Sequence, residues 1–107
     1  LKVGGENVAA QEIEALIGTH DAVKLCQVVG RSDARLQEVP VAFVELKPGM
    51  TAEGHEIVDF CKGKIASFKV PRAVHFITEW PLSASKIQKF KLREMAEAAV
   101  EPEAAQG

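Results

Sequence analysis

The chain has 107 residues, of which 47% are hydrophobic and 26% are charged, and its formal net charge is −2. This length suits one small domain with a modest core and excludes a deep, enclosed active site. The apolar runs are shorter than the roughly 20 residues that cross a bilayer, so we predict no membrane span.

The net charge hides an uneven distribution along the chain. Residues 1–61 contain five basic and ten acidic residues, whereas residues 62–93 contain eight basic residues and one acidic residue, a local excess of +7. Such an excess attracts polyanions, so a nucleic-acid-binding module is one alternative function. Against it, the flanking acidic residues would repel a long polyanion, and no aromatic residues are spaced to stack on bases. We therefore predict no nucleic-acid partner.

The first half of the chain predicts a turn, a helix and two strands. Gly4-Gly5-Glu6-Asn7 follows the end of a strand or linker and is typical of a turn. Between residues 9 and 18 the apolar side chains recur at i, i+3 and i+4, which predicts a short amphipathic helix. Residues 22–30 and 39–46 are rich in valine and apolar on both faces, which is typical of buried strands.

The second half predicts a longer helix, a third strand and a last helix. Thr51 is the expected N-cap of a helix over residues 52–66, whose apolar stripe continues to Phe68. Residues 73–77 predict the third strand, residues 87–89 a short strand, and residues 91–100 a helix that runs into a flexible tail. The expected fold is α+β, with a small three-stranded sheet packed against amphipathic helices on one side.

The two cysteines, Cys26 and Cys61, have neither metal-ligand spacing nor a partner motif. Both sit among apolar residues, which favours buried, reduced thiols in a cytosolic protein. We predict no metal site in this chain.

Lys86 is the candidate functional cation. It follows Ser83, Ala84 and Ser85, whose short side chains cannot bury its ammonium group. A lysine presented in this way acts as a mobile point charge that reaches a phosphate or a carboxylate.

Five motifs occur in a fixed order along the chain, and together they resemble one family. They are Gly-Gly-Glu-Asn-Val with a following Glu-Ile-Glu, Val-Val-Gly-x-x-Asp, Glu-Val-Pro-Val-Ala-Phe-Val-x-Leu-Lys-Pro-Gly, Phe-Lys-Val-Pro-Arg, and Pro-x-Ser-x-Ser-Lys-Ile-Gln-Lys. The chain resembles the C-terminal domain of AMP-forming acyl-CoA synthetases, in the acyl-adenylate-forming superfamily. The resemblance covers residues 1–95, which we assign to a mobile cap domain, and we assign residues 96–107 to the tail.

The resemblance implies a ligase that works in two steps. A carboxylic acid reacts with ATP to give an acyl-adenylate, and the acyl group is then transferred to CoA. It also implies that the chain is cut from a longer cytoplasmic protein, whose N-terminal domain is the partner that binds ATP, the acid and Mg²⁺. The fragment alone would then be inactive.

The resemblance also assigns roles to individual residues. Lys86 matches the family's catalytic lysine, and Gly4, Gly5 and Glu6 match a loop that lines the tunnel for the pantetheine arm of CoA. Lys69 and Arg72 match basic residues that approach the CoA phosphates.

Two positions depart from the usual family pattern. Ser85 stands where a glycine commonly precedes the catalytic lysine, in a turn that is one residue shorter than usual. Leu36 stands where some relatives have a tryptophan that stacks on the CoA adenine. A second alternative also stays open, because the cap of an adenylation domain that loads the phosphopantetheine of a carrier protein would have the same motifs.

Overall fold

The computed structural model of the chain describes residues 1–99. Its helices and strands alternate along the chain and account for most of this range. They are β1 (Lys2–Val3), β2 (Glu6–Asn7), α1 (Ala10–Ile17), β3 (Val23–Asp33), β4 (Gln37–Leu46), α2 (Gly54–Cys61), a single 3₁₀ turn (Ser67–Lys69), β5 (Ala73–Phe76), β6 (Leu82–Ser83), β7 (Lys86–Ile87) and α3 (Lys89–Ala98).

The main sheet is built around β4 and has five strands among the described residues, instead of the predicted three. The strand β3 pairs antiparallel along one edge of β4. The other edge is shared, because β1 pairs antiparallel with the start of β4 and β5 pairs parallel with its middle. The sequence indicated the end of a strand or linker before Gly4, but β2 was missed, because a two-residue strand carries no periodicity. The register of β1 and β2 comes from the turn between them.

Both faces of this sheet are covered, which corrects the expectation that the helices lie on one side. Val28, Ala42 and Val44 contribute to one core cluster together with apolar residues of α1 and α2. Their immediate neighbours along the strands point the other way, so Val29 and Phe43 join a second cluster with α3. The apolar runs of β3 and β4 fit this arrangement, since a strand buried on both faces shows no polar alternation.

The helix α2 is shorter than predicted at both ends. It begins at Gly54 after a reciprocal capping box, in which the Glu53 side chain accepts from the backbone N–H of Glu56 and Glu56 Oε1 accepts from the Glu53 N–H. The prediction that Thr51 is the N-cap is therefore wrong, because Glu53 occupies that position. The helix ends at Cys61, because Lys62 is extended and Gly63 has a φ of +82°.

The last helix, α3, begins at Lys89 and ends at Ala98. Ala96 is fully buried in the second cluster, so residues 96–98 belong to the fold and not to the predicted tail. The rest of that tail, from Val100 to Gly107, lies outside the described residues, as does the predicted end of the helix. Among residues 1–99 there is no helix of the length and apolar character that crossing a membrane requires.

Candidate functional site

Lys86 lies at the tip of a two-stranded hairpin that is separate from the main sheet. The strands β6 and β7 pair antiparallel, with Ser83 opposite Lys86, so the connecting loop consists of Ala84 and Ser85. Both loop residues have positive φ, 51° and 69°, as in a type I′ turn. This turn twists with the strands and projects Lys86 away from the body of the domain.

The Lys86 side chain is exposed, and within residues 1–99 its ammonium group makes no ion pair or hydrogen bond. The base of the hairpin is held more firmly. Trp80 Nε1 donates to Glu45 Oε1 at 2.8 Å, Gln88 N donates to Pro81 O at 2.8 Å, and Ile87 packs on the second core cluster. The Lys86 ammonium group, on a hairpin whose base is fixed, can therefore reach a ligand outside the domain.

The glycine turn forms a second hairpin at the start of β4. Gly4 and Gly5, with φ of 55° and 88°, connect β1 to β2, where Val3 pairs with Glu6. The Gly4 N–H donates to Leu36 O at 2.7 Å, and a Cβ on Gly4 would approach Leu36 Cδ2 to 3.4 Å. The predicted pantetheine loop and Leu36, at the position where some relatives have a tryptophan, are thus neighbours.

The loop that carries Leu36 is shaped by Asp33. The Asp33 carboxylate accepts hydrogen bonds from the backbone N–H groups of Leu36, at 2.8 Å, and of Arg35, at 3.1 Å. The first of these bonds is the main reason that the pKa of Asp33 lies below its ordinary value, and the positive charges of Arg72 and Arg35 add to the effect. The structure therefore places Arg72 within electrostatic reach of this loop.

Arg72 precedes β5 on the same edge of β4, and its backbone N–H donates to Pro40 O at 2.8 Å. It lines a surface groove of about 320 Å³ together with Lys62, Ser67 and Pro71. The glycine turn, Leu36 and the backbone of Arg72 are therefore all attached to the first half of β4 or to the loop before it.

Lys69, the other predicted phosphate contact, is already engaged. Its ammonium pairs with Glu12 Oε1 of α1 at 2.8 Å, and 23% of its side chain is exposed. This contact fastens the 3₁₀ turn to α1. Of the two basic residues, Arg72 is thus the better placed to meet a ligand.

The two hairpins are anchored towards opposite ends of β4. The glycine hairpin reaches β4 at Gln37, and the Lys86 hairpin is tied to Glu45. Eight residues of strand separate these anchors by roughly 25 Å. Lys86 and the glycine turn therefore form two separate surfaces and cannot contact the same atom at once.

Half of the basic residues of 62–93 are paired with acidic residues among the described residues. Four of the eight form these ion pairs: Lys62 with Asp59, Lys69 with Glu12, Lys89 with Glu14, and Arg93 with Glu38 and Glu97. Most of these acids belong to residues 1–61, so the charge asymmetry along the chain is mainly an internal complementarity.

No group of three or more His, Cys, Asp or Glu side chains within residues 1–99 could hold a metal ion. Cys26 and Cys61 are both buried and unpaired with each other, as predicted. Burial raises the pKa of Cys26 to about 12 and that of Cys61 to about 11, so neither thiol is poised as a nucleophile or ligand.

Comparison with known proteins identifies the family. Residues 12–86 match the AMP-binding enzyme C-terminal domain. The chain belongs to this family. It is 50% identical over 95 residues to the mitochondrial medium-chain acyl-CoA ligase ACSF2 of Bos taurus and 48% identical over 92 residues to the putative acyl-CoA synthetase YngI of Bacillus subtilis. These matches cover 88% and 85% of the chain, but only 15% and 17% of the two relatives.

Solved structures of the family have the same fold. Apo MatB from Rhodopseudomonas palustris superimposes with a TM-score of 0.87 at 31% identity, over 92% of this chain and 20% of that one. The anthranilate CoA ligase AuaEII, in complex with anthranoyl-AMP, gives a TM-score of 0.81 at 42% identity, over 91% of this chain and 20% of that one. The expected α+β fold of an AMP-binding enzyme C-terminal domain is therefore confirmed.

Sequence reasoning missed the side chains that fasten α3 to the sheet. Lys89, Arg93 and Glu97 follow one another at intervals of four residues and reach Glu14, Glu38 and Ser32. Their spacing on one helix face was a readable signal. In the sequence, Lys89 and Arg93 are visible only as members of the basic stretch, because their acidic partners lie 75 and 55 residues earlier.

Proposed function

We propose that this chain is the cap domain of an acyl-CoA ligase, which activates a carboxylic acid with ATP and transfers the acyl group to CoA. The observation that carries the proposal is the exposed Lys86 ammonium, held without a partner among the described residues at the tip of an anchored hairpin. The acyl-CoA ligase names of the relatives support the same reaction class.

The chemistry explains why such a cation is needed. In the first step a carboxylate attacks the α-phosphate of ATP, so two anions approach each other and negative charge develops on the phosphoryl oxygens. An ammonium group delivered between them offsets the repulsion and stabilises the transition state. Lys86 serves this step, and the cap then turns to expose its other end for thioester formation.

The Lys86→Ala variant of the full-length enzyme tests this role. Loss of one preorganised cation is expected to slow adenylation on the order of 10²–10³-fold. Thioester formation from pre-made acyl-adenylate and CoA should change only a few-fold. Lys91→Ala is the matched control, since Lys91 is also exposed and its ammonium lies over the Phe90 ring, 5.8 Å from the ring centroid. Equal losses in both half-reactions of Lys86→Ala would contradict the proposal.

The second end of the domain is proposed to receive CoA. Gly4, Gly5 and Glu6 would line the pantetheine path, because glycines let a backbone approach a narrow ligand closely. Arg72 and Lys69 would face the CoA phosphates. Arg72→Ala should raise KM for CoA more than Lys69→Ala does, since Lys69 is held by Glu12. The reverse order would assign the phosphate contact to Lys69 instead.

A carrier-protein phosphopantetheine is the alternative acyl acceptor. It would use the same glycine hairpin, because the pantetheine arm is common to both acceptors. The acyl-CoA and CoA ligase names of the relatives favour CoA. Thioester formation by the full-length enzyme, measured with CoA and with a phosphopantetheinylated carrier protein, separates the two.

Mg²⁺ would accompany ATP. Since residues 1–99 offer no cluster of metal ligands, the ion belongs to the ATP phosphates and to the rest of the enzyme, which is the domain's proposed partner. A cytoplasmic location is also part of the proposal, supported by the two free thiols, which suit a reducing compartment.

A further inference from the structure

Side chains from helices on both faces of the sheet form hydrogen bonds with backbone groups at the outer edge of β3. Among residues 1–99 the only strand that pairs with β3 is β4, so the outer backbone groups of β3 need other partners. At Val28, the N–H donates to Glu14 Oε2 of α1 at 2.8 Å, and the carbonyl accepts from Lys89 Nζ of α3 at 3.2 Å. Glu14 and Lys89 are themselves an ion pair, which thus joins α1 to α3 across the strand edge.

The same arrangement repeats along α3. Arg93 pairs with Glu38, which lies over Gly30, and Glu97 accepts from the N–H and hydroxyl of Ser32. Four residues of helix rise about 6 Å and two residues of strand about 6.6 Å. Each turn of α3 therefore meets the next outward-facing residue of β3, and the helix is locked in one register.

The Lys89 member of the Glu14–Lys89 ion pair lies just after the Lys86 hairpin in the sequence. Lys86 and Ile87 form β7, and Lys89 is the first residue of α3. Only Ile87 and Gln88 separate the proposed catalytic lysine from the residue that is tied to α1 and β3. Within the described part of the chain, the side chains of residues 84–86 at the hairpin tip form no ion pair or hydrogen bond, so the direction of the tip depends on how its base is fixed.

We propose that Glu14 and Lys89 are positioning residues for Lys86. The pair fixes the start of α3 on the edge of β3, and thereby sets the direction in which β7 carries the Lys86 ammonium. This inference rests on the proposed role of Lys86 in adenylation. It predicts that loss of the pair misplaces the cation without removing it.

The Arg93–Glu38 pair provides a matched control. It lies one turn further along the same helix, on the same strand edge, and its burial is nearly identical: 43% and 19% of the two side chains are exposed, against 42% and 15% for Lys89 and Glu14. A general loosening of α3 should follow from breaking either pair. A change in the direction of Lys86 should follow only from breaking the first.

The test compares Lys89→Met and Arg93→Met in the full-length enzyme. A misplacement of about 1 Å can cost up to about 10²-fold in rate, so Lys89→Met should slow adenylation roughly 10- to 100-fold, mainly in kcat. Transfer from pre-made acyl-adenylate to CoA should stay within a few-fold. Arg93→Met should leave adenylation within about threefold, and Lys89→Arg should restore most of the rate. Glu14→Gln is a second variant: it removes the negative charge that pairs with Lys89 but keeps an oxygen acceptor for the Val28 N–H.

A further comparison separates positioning from structural damage. If Lys89 acts through Lys86, then Lys89→Met should cause no additional loss in a Lys86→Ala background, since the group it positions is gone. An additive loss, or equal losses in both half-reactions, would overturn the inference. Normal adenylation by Lys86→Ala alone would instead overturn the proposed function itself, so the two failures are distinguishable.

Discussion

The Glu38 carboxylate occupies the space that a side chain on residue 30 would need. A Cβ on Gly30 would come within 2.7 Å of Glu38 Oε2 and 2.9 Å of its Cδ. The absence of a side chain there lets Glu38 lie across β3, where it pairs with Arg93 and also accepts from the Lys2 N–H at 2.7 Å. One glycine thus permits the contact that joins β1, β4 and α3.

We expect Gly30→Ala to destabilise the domain by about 1–3 kcal/mol, because the new methyl group must displace the carboxylate or the strand. Urea unfolding of the 107-residue chain measures the loss. In a Glu38→Ala background the same substitution should cost much less, since the clash is removed. Additive costs in this double-mutant cycle would contradict the steric explanation.

The stability of the domain should fall at acidic pH, partly through Glu38. Burial raises the pKa of this carboxyl, but the hydrogen bonds from Lys2 N and Arg93 outweigh burial and hold the pKa below 4.5. Because the folded value lies below the unfolded one, this contribution is fully present above about pH 4.5 and is lost as the pH falls through the folded value. Glu38→Gln should therefore have a smaller decrease in unfolding free energy between about pH 5 and 3. Glu94→Gln, at an exposed site on α3, controls for the loss of one carboxylate; an identical pH dependence of both variants would refute the assignment.

The turn before Lys86 should be stabilised by glycine. Ser85 has a φ of 69°. This conformation destabilises an L-residue by about 1–2 kcal/mol relative to glycine. The greater conformational freedom of glycine in the unfolded chain offsets about 0.4–1 kcal/mol of that difference. Ser85→Gly should thus raise the unfolding free energy by about 0.5–1 kcal/mol in urea titrations. Ser83→Gly, in strand β6, should lower it, and a gain there would argue against the turn geometry.

Both cysteines should resist modification in the folded protein. Their thiols are buried, and burial raises their pKa values to about 12 and 11, so the reactive thiolate is scarce at pH 8. Titration with a chromogenic disulfide reagent should label neither Cys26 nor Cys61 within minutes. Both should react at once in denaturant. Fast labelling of the native domain would show that one of the two lies in an open environment.

The order of the elements could be predicted from the sequence wherever an element is long enough to show its period. The helix at Ala10–Ile17 and the strands β3, β4 and β5 lie close to their expected positions, because their apolar patterns extend over a full face. The boundaries of α2 were wrong at both ends. The helix starts where Glu53, and not Thr51, is the N-cap, and it ends just before Gly63, which has a positive φ. The pattern of apolar residues shows neither of these boundaries.

The candidate site divides in a similar way. Lys86 could be chosen as a candidate from its local sequence, whereas the glycine turn and Arg72 were chosen through the resemblance to the family. Their separation into two surfaces could not be predicted, because it depends on which ends of β4 the two hairpins reach. The engagement of Lys69 by Glu12 was equally hidden, as 57 residues separate the two.

The sequence by itself determined the longer elements and the exposed cation from patterns within about ten residues, and the family from five such motifs in a fixed order. Only the tertiary structure decided that helices cover both faces of the sheet and that α3 is locked onto the edge of β3. It also decided that half of the basic residues of 62–93 pair with acidic residues of the same domain. The physical reason is that ion pairs and packing join atoms that are near in space, and distance along the chain leaves no trace of which charge will meet which.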